Sequence, residues 1–181
     1  MTEQEEQPKA KLLAIDPGTD KTAWVVMAED GKTILAHDIT ANKDMFDVLS
    51  KAAHYYGADR MAIEMMASMG MAVGQSVFET AVWIGRFIQH WLYLKTWAEY
   101  ELIYRADEKM HLCGNPRAKD PNIRQAILDS YGPGDPVGKK KNPGPLYGIS
   151  KDEWSAIAVA KVALETKVEN RINKRSTLWQ A

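Results

Sequence analysis

Asp16 closes an uninterrupted apolar run, Leu12-Leu13-Ala14-Ile15, and is followed at once by Pro17-Gly18-Thr19. Continuous apolar character over so few residues, then a pair that turns the chain, reads as a strand buried on both faces with Pro-Gly as its turn. The aspartate then lies at a sheet edge open to ligand. Alone it would be an ordinary turn-initiating residue, but two further acidic positions are placed similarly. Glu64 lies near the C-terminal end of the short segment Asp59-Arg60-Met61-Ala62-Ile63-Glu64-Met65, and Asp152-Glu153 opens a long apolar stretch near the end of the chain. Carboxylates gathered in one place repel one another unless a divalent cation neutralises them. Two cations held about 3.5 to 4 Å apart by three or four carboxylates activate water and stabilise the leaving oxygen of a phosphodiester. The single cysteine, Cys113, and the lack of any His or Cys cluster with zinc spacing leave oxygen ligands, hence Mg²⁺ or Mn²⁺, as the expected metal chemistry, with two ions per site.

The elements that must position these residues follow an α/β order. After the first strand, residues 22–28 form a second, Asp30-Gly31 makes a hairpin, and residues 33–39 form a third, a three-strand antiparallel start. Residues 43–56 place Met45, Val48, Leu49, Ala52 and Tyr56 at helical spacing, with Gly57 as a C-terminal cap. That helix returns the chain, so the strand at 59–65 runs parallel to the first. If the two are neighbours, Asp16 and Glu64 share the carboxyl end of the sheet, where ligand crevices form in parallel α/β folds.

A loop rich in Met, Gly, Ala and Ser follows at 66–75, with Met65, Met66, Met69 and Met71 read mainly as adaptable packing groups. A long helix then runs from about Ser76 through Phe78, Val82, Trp83, Phe87, Trp91 and Leu94, and the spacing of its aromatics reads as core. A fifth strand is expected at 101–105, a short helical turn at 107–112, and a helix at 120–131 with Pro121 in its first turn. Residues 132–148 hold five glycines, four prolines and Lys139-Lys140-Lys141, and read as an irregular or disordered basic loop that supplies no core. The last helix begins at Ser150 with Glu153 as its capping-box partner. A carboxylate that caps can hardly ligate as well, so Asp152 is the preferred ligand, although the two could be exchanged.

With 181 residues, 45% of them hydrophobic, the chain is expected to form one domain at 11–169, between a flexible acidic tail at 1–10 and a polar tail at 170–181. No apolar run is long enough to span a bilayer and the N-terminus lacks a signal-like pattern, so a cytoplasmic location and no membrane partner are expected. The net charge of −1 conceals an asymmetry. Between 109 and 151 there are eight basic residues, Arg117, Lys119, Arg124 and Lys139 to Lys141 among them, against three acidic, a local charge of +5. Such a segment offers one polyanion-binding face on a nearly neutral whole.

The segments Ile15-Asp16-Pro17-Gly18, Ile63-Glu64 and Lys151-Asp152-Glu153-Trp154-Ser155-Ala156-Ile157-Ala158-Val159-Ala160 together resemble the RuvC-type Holliday junction resolvases of the RNase H-like superfamily. Ser76-Val77-Phe78-Glu79-Thr80, Trp83-Ile84-Gly85-Arg86-Phe87, and His111-Leu112-Cys113-Gly114 leading to Arg117-Ala118-Lys119-Asp120 are similar to phage-encoded members. The likeness covers roughly residues 11–165. It implies a mixed five-stranded sheet of order 3-2-1-4-5 flanked by helices, and a homodimer that resolves four-way DNA junctions by paired, metal-dependent nicks. Asp16, Glu64 and Asp152 would be metal ligands, while Lys109 and Lys119 match family lysines that stabilise charge near the scissile phosphate. One departure stands out: Ser155 occupies the place of a second aspartate one helical turn after the first, so Glu153 would have to contribute the fourth carboxylate, or one metal binds weakly. Three other readings fit the same residues. They are a relaxed nuclease of flaps and forks, a non-catalytic DNA-binding or scaffold protein, and an actin-like ATPase built on Asp-Pro-Gly-Thr, whose duplicated domains need about twice this length.

Overall fold

The structure is a computed structural model that describes residues 10–67, 72–94 and 99–166. Five strands form one sheet in the order β3-β2-β1-β4-β5: β1 (Ala10–Pro17), β2 (Lys21–Ala28), β3 (Ile34–Ala41), β4 (Arg60–Met65) and β5 (Glu99–Tyr104). The first three are antiparallel, and β4 and β5 run parallel to β1, so the mixed sheet and strand order expected from the sequence are present. The β1–β2 turn is so tight that a Cβ on Gly18 would stand 2.6 Å from the carbonyl oxygen of Lys21. Pro17 nevertheless stays in the ladder opposite Thr22 rather than ending it. At the β2–β3 turn, Asp30 accepts the backbone N–H groups of Lys32 and Thr33, fixing the hairpin.

Strand residues alternate between two apolar layers. Leu12, Ala14, Ala23, Val25, Met27, Ala62 and Ile103 face one side, and Leu13, Ile15, Trp24, Val26, Met61 and Ile63 the other. Helices α1 (Met45–His54) and α2 (Gln75–Leu94) cover the second face through Met45, Leu49, Ala52, Ile84, Phe87 and Trp91. On the first face lie α3 (Arg105–Cys113), α4 (Asp120–Ser130) and, against the strands, α5 (Glu153–Glu165). From 153 to 163 only Ser155 of α5 is not buried. A helix apolar on all sides belongs in the interior, and four alanines between 156 and 163 let it lie close to β1 and β2.

Several expectations are corrected. The buried stripe of α2 is Thr80, Ile84, Phe87 and Trp91, whereas Phe78, expected in the core, is 60% exposed and lies with Val82, 63% exposed, on a separate stripe of the same helix. The helical turn expected at 107–112 is the full helix α3, which leaves β5 without a loop. The segment 132–148 is neither irregular throughout nor excluded from the core. It carries a small hairpin of β6 (Gly138–Lys139) and β7 (Asn142–Pro143), and Leu146 is wholly buried. Asp135 organises it by accepting the N–H groups of Val137 and Gly138, and Gly138 and Gly144 allow backbones to cross where any Cβ would collide. The capping box proposed for Ser150 is one-sided: Glu153 accepts from the N–H and Oγ of Ser150, and regular helix begins only at Glu153. Met69, Met71 and nearly all of the two expected tails lie outside the described residues.

One buried cation holds α5 in place. Lys161 is 3% exposed, and its Nζ bonds Glu165 Oε1 at 2.6 Å and the carbonyl of Gly31 at 3.2 Å. Burial pushes the Glu165 carboxyl up, but bonds from Lys161 and His111 outweigh it and hold its pKa below the usual value. Such a group stabilises the fold above its unfolded pKa, and the contribution is lost as pH falls through its folded value. We therefore expect Glu165→Gln to cost about 1 to 2 kcal/mol at neutral pH by leaving Lys161 short of an anion, less than a fully buried pair would cost because Glu165 is partly exposed. In thermal melts the gap from the unaltered protein should close below about pH 4; a gap that persists there would show that the carboxylate is not its source.

Candidate active site

The register of β1 on β4 sets Ile15 opposite Ile63, which makes Asp16 and Glu64 neighbours at the carboxyl ends of two parallel strands. Both follow the parity of Ala14 and Ala62, so both project on the face covered by α5. The pKa of Asp16 is pushed up to about 8, first by burial, then by the charge and hydrogen bonding of Glu64, then by the charge of Glu108.

The third strand end in this row belongs to β5, where Ile103 pairs with Glu64 and Tyr104 with Met65. The chain passes directly into α3, with Asp107 accepting the Tyr104 N–H at 3.2 Å. Arg105 and Glu108, one turn apart, are thereby placed beside the two acids. Arg105 donates to Glu108 Oε2 and to Asp120 Oδ1, both at 2.5 Å. Burial disfavours its charge, but Glu108, Asp120 and Glu64 outweigh burial and raise its pKa further. Glu108 is completely buried and its Oε1 has no hydrogen-bond partner. Its pKa is likewise raised to about 8, by burial and then by the charge of Glu64, against the pull of Arg105.

Beside this corner lies a cleft of about 680 Å³ lined by Arg105, Asp120, Arg124, Lys151, Asp152 and Ser155, among others. Asp152 is exposed at the N-cap of α5, and Arg124 lies 4.7 Å from the centre of the Trp154 ring. Glu153 points elsewhere. Its Oε1 accepts from His37 Nδ1 at 2.6 Å and its Oε2 from Ser150 N and Oγ, each at 2.7 Å, so it ties α5 to β3 and to the preceding turn. These bonds hold its pKa low despite burial. Asp152 thus lines the cleft, whereas Glu153, named above as a ligand, is not among the cleft residues. Among the described residues, no three His, Cys, Asp or Glu side chains stand close enough together to hold a metal ion as the structure lies.

Of the cationic residues, Lys109 is half-buried on α3, while Arg117, Lys119 and Arg124 are exposed on the α3–α4 connection and α4. Lys140 and Lys141 form the tip of the β6–β7 hairpin, next to exposed Lys139. Arg105 and Glu108 were not anticipated. The available signal is a charged pair three residues apart immediately after a strand that ends in the same row as Asp16 and Glu64; the strand expected at 101–105 ends one residue earlier, and the helix expected from 107 begins two residues earlier.

No protein-family model matches the sequence, and no curated protein matches it. Solved structures do match. RuvC of Thermus thermophilus superposes with a TM-score of 0.65 at 14% identity, covering 90% of this chain and 96% of that one. The T. thermophilus RuvC in complex with a Holliday junction substrate gives 0.61 at 11%, with 84% and 92% covered. The yeast mitochondrial Holliday junction resolvase Ydc2 gives 0.51 at 8%, with 94% and 87% covered. The chain therefore has the RuvC-like, RNase H-like fold.

Proposed function

We propose that this protein is a structure-specific DNA endonuclease that resolves four-way junctions by paired, metal-dependent phosphodiester nicking. The observation that carries the proposal is the placement of Asp16 and Glu64 at adjacent parallel strand ends, beside a cleft that presents Asp152. The donor set suits a hard divalent cation, Mg²⁺ or Mn²⁺: all the donors are carboxylate oxygens, and the neighbouring pair calls for a compensating positive charge. Asp16, Glu64 and Asp152 would hold the metal, whose chemistry when bound is to activate a water and to stabilise charge on phosphodiester oxygens. Lys109 and Lys119 would stabilise the developing phosphorane charge. Arg117, Arg124 and the Lys139–Lys141 tip would track the DNA backbone. The closeness to phage-encoded members rests on the segments at 76–80, 83–87 and 111–120. A cytoplasmic site of action fits the absence, among the described residues, of a helix long and apolar enough to cross a membrane.

The homodimer belongs to the same reading. Phe78, Val82 and Tyr93 form an exposed stripe along α2, 60%, 63% and 84% accessible, on the helix that closes the sheet face opposite the acidic corner. Burying such a stripe against its copy would remove several large apolar groups from water. A non-catalytic junction binder is favoured by one observation, the salt bridges by which Arg105 already neutralises Glu108 and Asp120, and cleavage assays separate the two readings.

Labelled four-way, flap and linear DNA incubated with and without Mg²⁺ should show symmetric nicks in opposite strands of the junction alone; nicks in every branched substrate would indicate the relaxed nuclease. Asp16→Asn should leave junction binding within about threefold and reduce cleavage by at least about a thousandfold, and residual cleavage near the original rate would refute the assigned site. Replacing Lys139, Lys140 and Lys141 by glutamate should weaken binding and reduce the slope of log affinity against log salt by about 2 to 3. An unaltered slope would remove the hairpin tip from the interface. Val82→Lys together with Tyr93→Lys should convert a dimer to a monomer in light scattering, and an unchanged mass would place the dimer surface elsewhere.

A further inference from the structure

The conflict at Ser155 has a second solution on the other side of the corner. Ser155 brings no charge, and Glu153 is committed to His37 and Ser150. Glu108 brings a carboxylate from α3. It is 0% exposed, one oxygen is taken by Arg105, and the other is buried with no hydrogen-bond partner. An unsatisfied buried carboxylate oxygen is costly, of the order of 1 to 3 kcal/mol or more for a charged group, and a fold that keeps one calls for an explanation. Glu108 is within electrostatic reach of both Asp16 and Glu64, on the helix that springs from the strand end beside Glu64, although the three carboxyls are not gathered tightly around one point as the structure lies. Nothing in the packing of α3 requires an acid there: Glu108 is the only buried residue of this helix, and an apolar side chain would satisfy an interior position without penalty.

We propose that Glu108 is a metal ligand, supplying through Oε1 the carboxylate that Ser155 lacks and completing, with Asp16 and Glu64, a divalent-cation site built from β1, β4 and α3. The inference rests on the reading that Asp16 and Glu64 hold a metal. Arg105 is its positioning partner, because the Oε2 salt bridge fixes the carboxylate plane and leaves Oε1 as the free donor. Ligands from strand ends and a helix that springs directly from the neighbouring strand are held more rigidly than ligands on a loop.

The test is calorimetric titration of MnCl₂ into the metal-free full-length protein, with no DNA present, alongside thermal melts in chelator. Glu108→Gln should weaken Mn²⁺ binding at least about tenfold while the chelated protein melts no lower than the unaltered one, since the variant removes a strained buried acid. Glu108→Asp retains the charge but shortens the reach; a ligand role predicts a loss close to that of Glu108→Gln. Mn²⁺ affinity unchanged in Glu108→Gln, but lost in Asp16→Asn, would overturn the role of Glu108 and leave the metal site standing. Affinity retained in Glu108→Asp would overturn ligation by reducing Glu108 to a background charge. No Mn²⁺ binding by the unaltered protein would overturn the metal reading itself and this inference with it.

Discussion

Two carboxyl groups are placed side by side because β4 lies beside β1 in parallel with Ile15 opposite Ile63. A shift of one residue would send Glu64 to the α1–α2 face, since side chains alternate along a strand. The register is held by apolar residues on both sides: Leu13, Ile15, Met61 and Ile63 under α1 and α2, Leu12, Ala14 and Ala62 under α5. The electrostatic cost of placing Asp16 beside Glu64 is thus met by the core beneath them. Stability is spent at the point where a cation or a proton must enter, a usual place for strain to be stored.

The remainder of the site is arranged around that cost. Arg105 brings a fixed positive charge to within a salt bridge of Glu108 and Asp120, and the direct passage from β5 into α3 puts it there. Helix α5 carries Asp152 at its start and is buried along almost its whole length, with Glu153 anchoring its first turn to β3 and Lys161 its later part to the β2–β3 turn. Arg60 ties the far end of α5 to β4 and β5 through Ala163 and Glu101. The cleft wall that carries Asp152 therefore cannot shift independently of the strands that carry Asp16 and Glu64.

Much of this was legible in the chain. Short apolar runs ending in acids, an Asp-Gly hairpin and a returning helix specify strand direction and parity through local chemistry, and these placed Asp16 and Glu64 side by side. Other features were not legible, for physical reasons. Phe78 and Val82 share helical spacing with true core residues, so periodicity alone could not tell which of the two apolar stripes of α2 meets the sheet. Gly and Pro enrichment at 132–148 reads as disorder, yet there the same residues permit a tight crossing with Leu146 beneath it.

The sequence by itself determined the sheet, its order and the pair of acids at its carboxyl edge, because buried runs, turns and crossover handedness are encoded locally. Only the tertiary structure decided the partners of that pair. Asp152 and Glu153 are adjacent and chemically equivalent in sequence, and the phase of one helix turns the first to the cleft and the second to His37. Arg105 and Glu108 look like surface charges on a short helix, yet Glu108 is buried and Arg105 half-buried on the side of Asp16 and Glu64, because β5 ends in the same row. Which charges meet depends on three-dimensional phase and depth, and neither is carried by residue spacing.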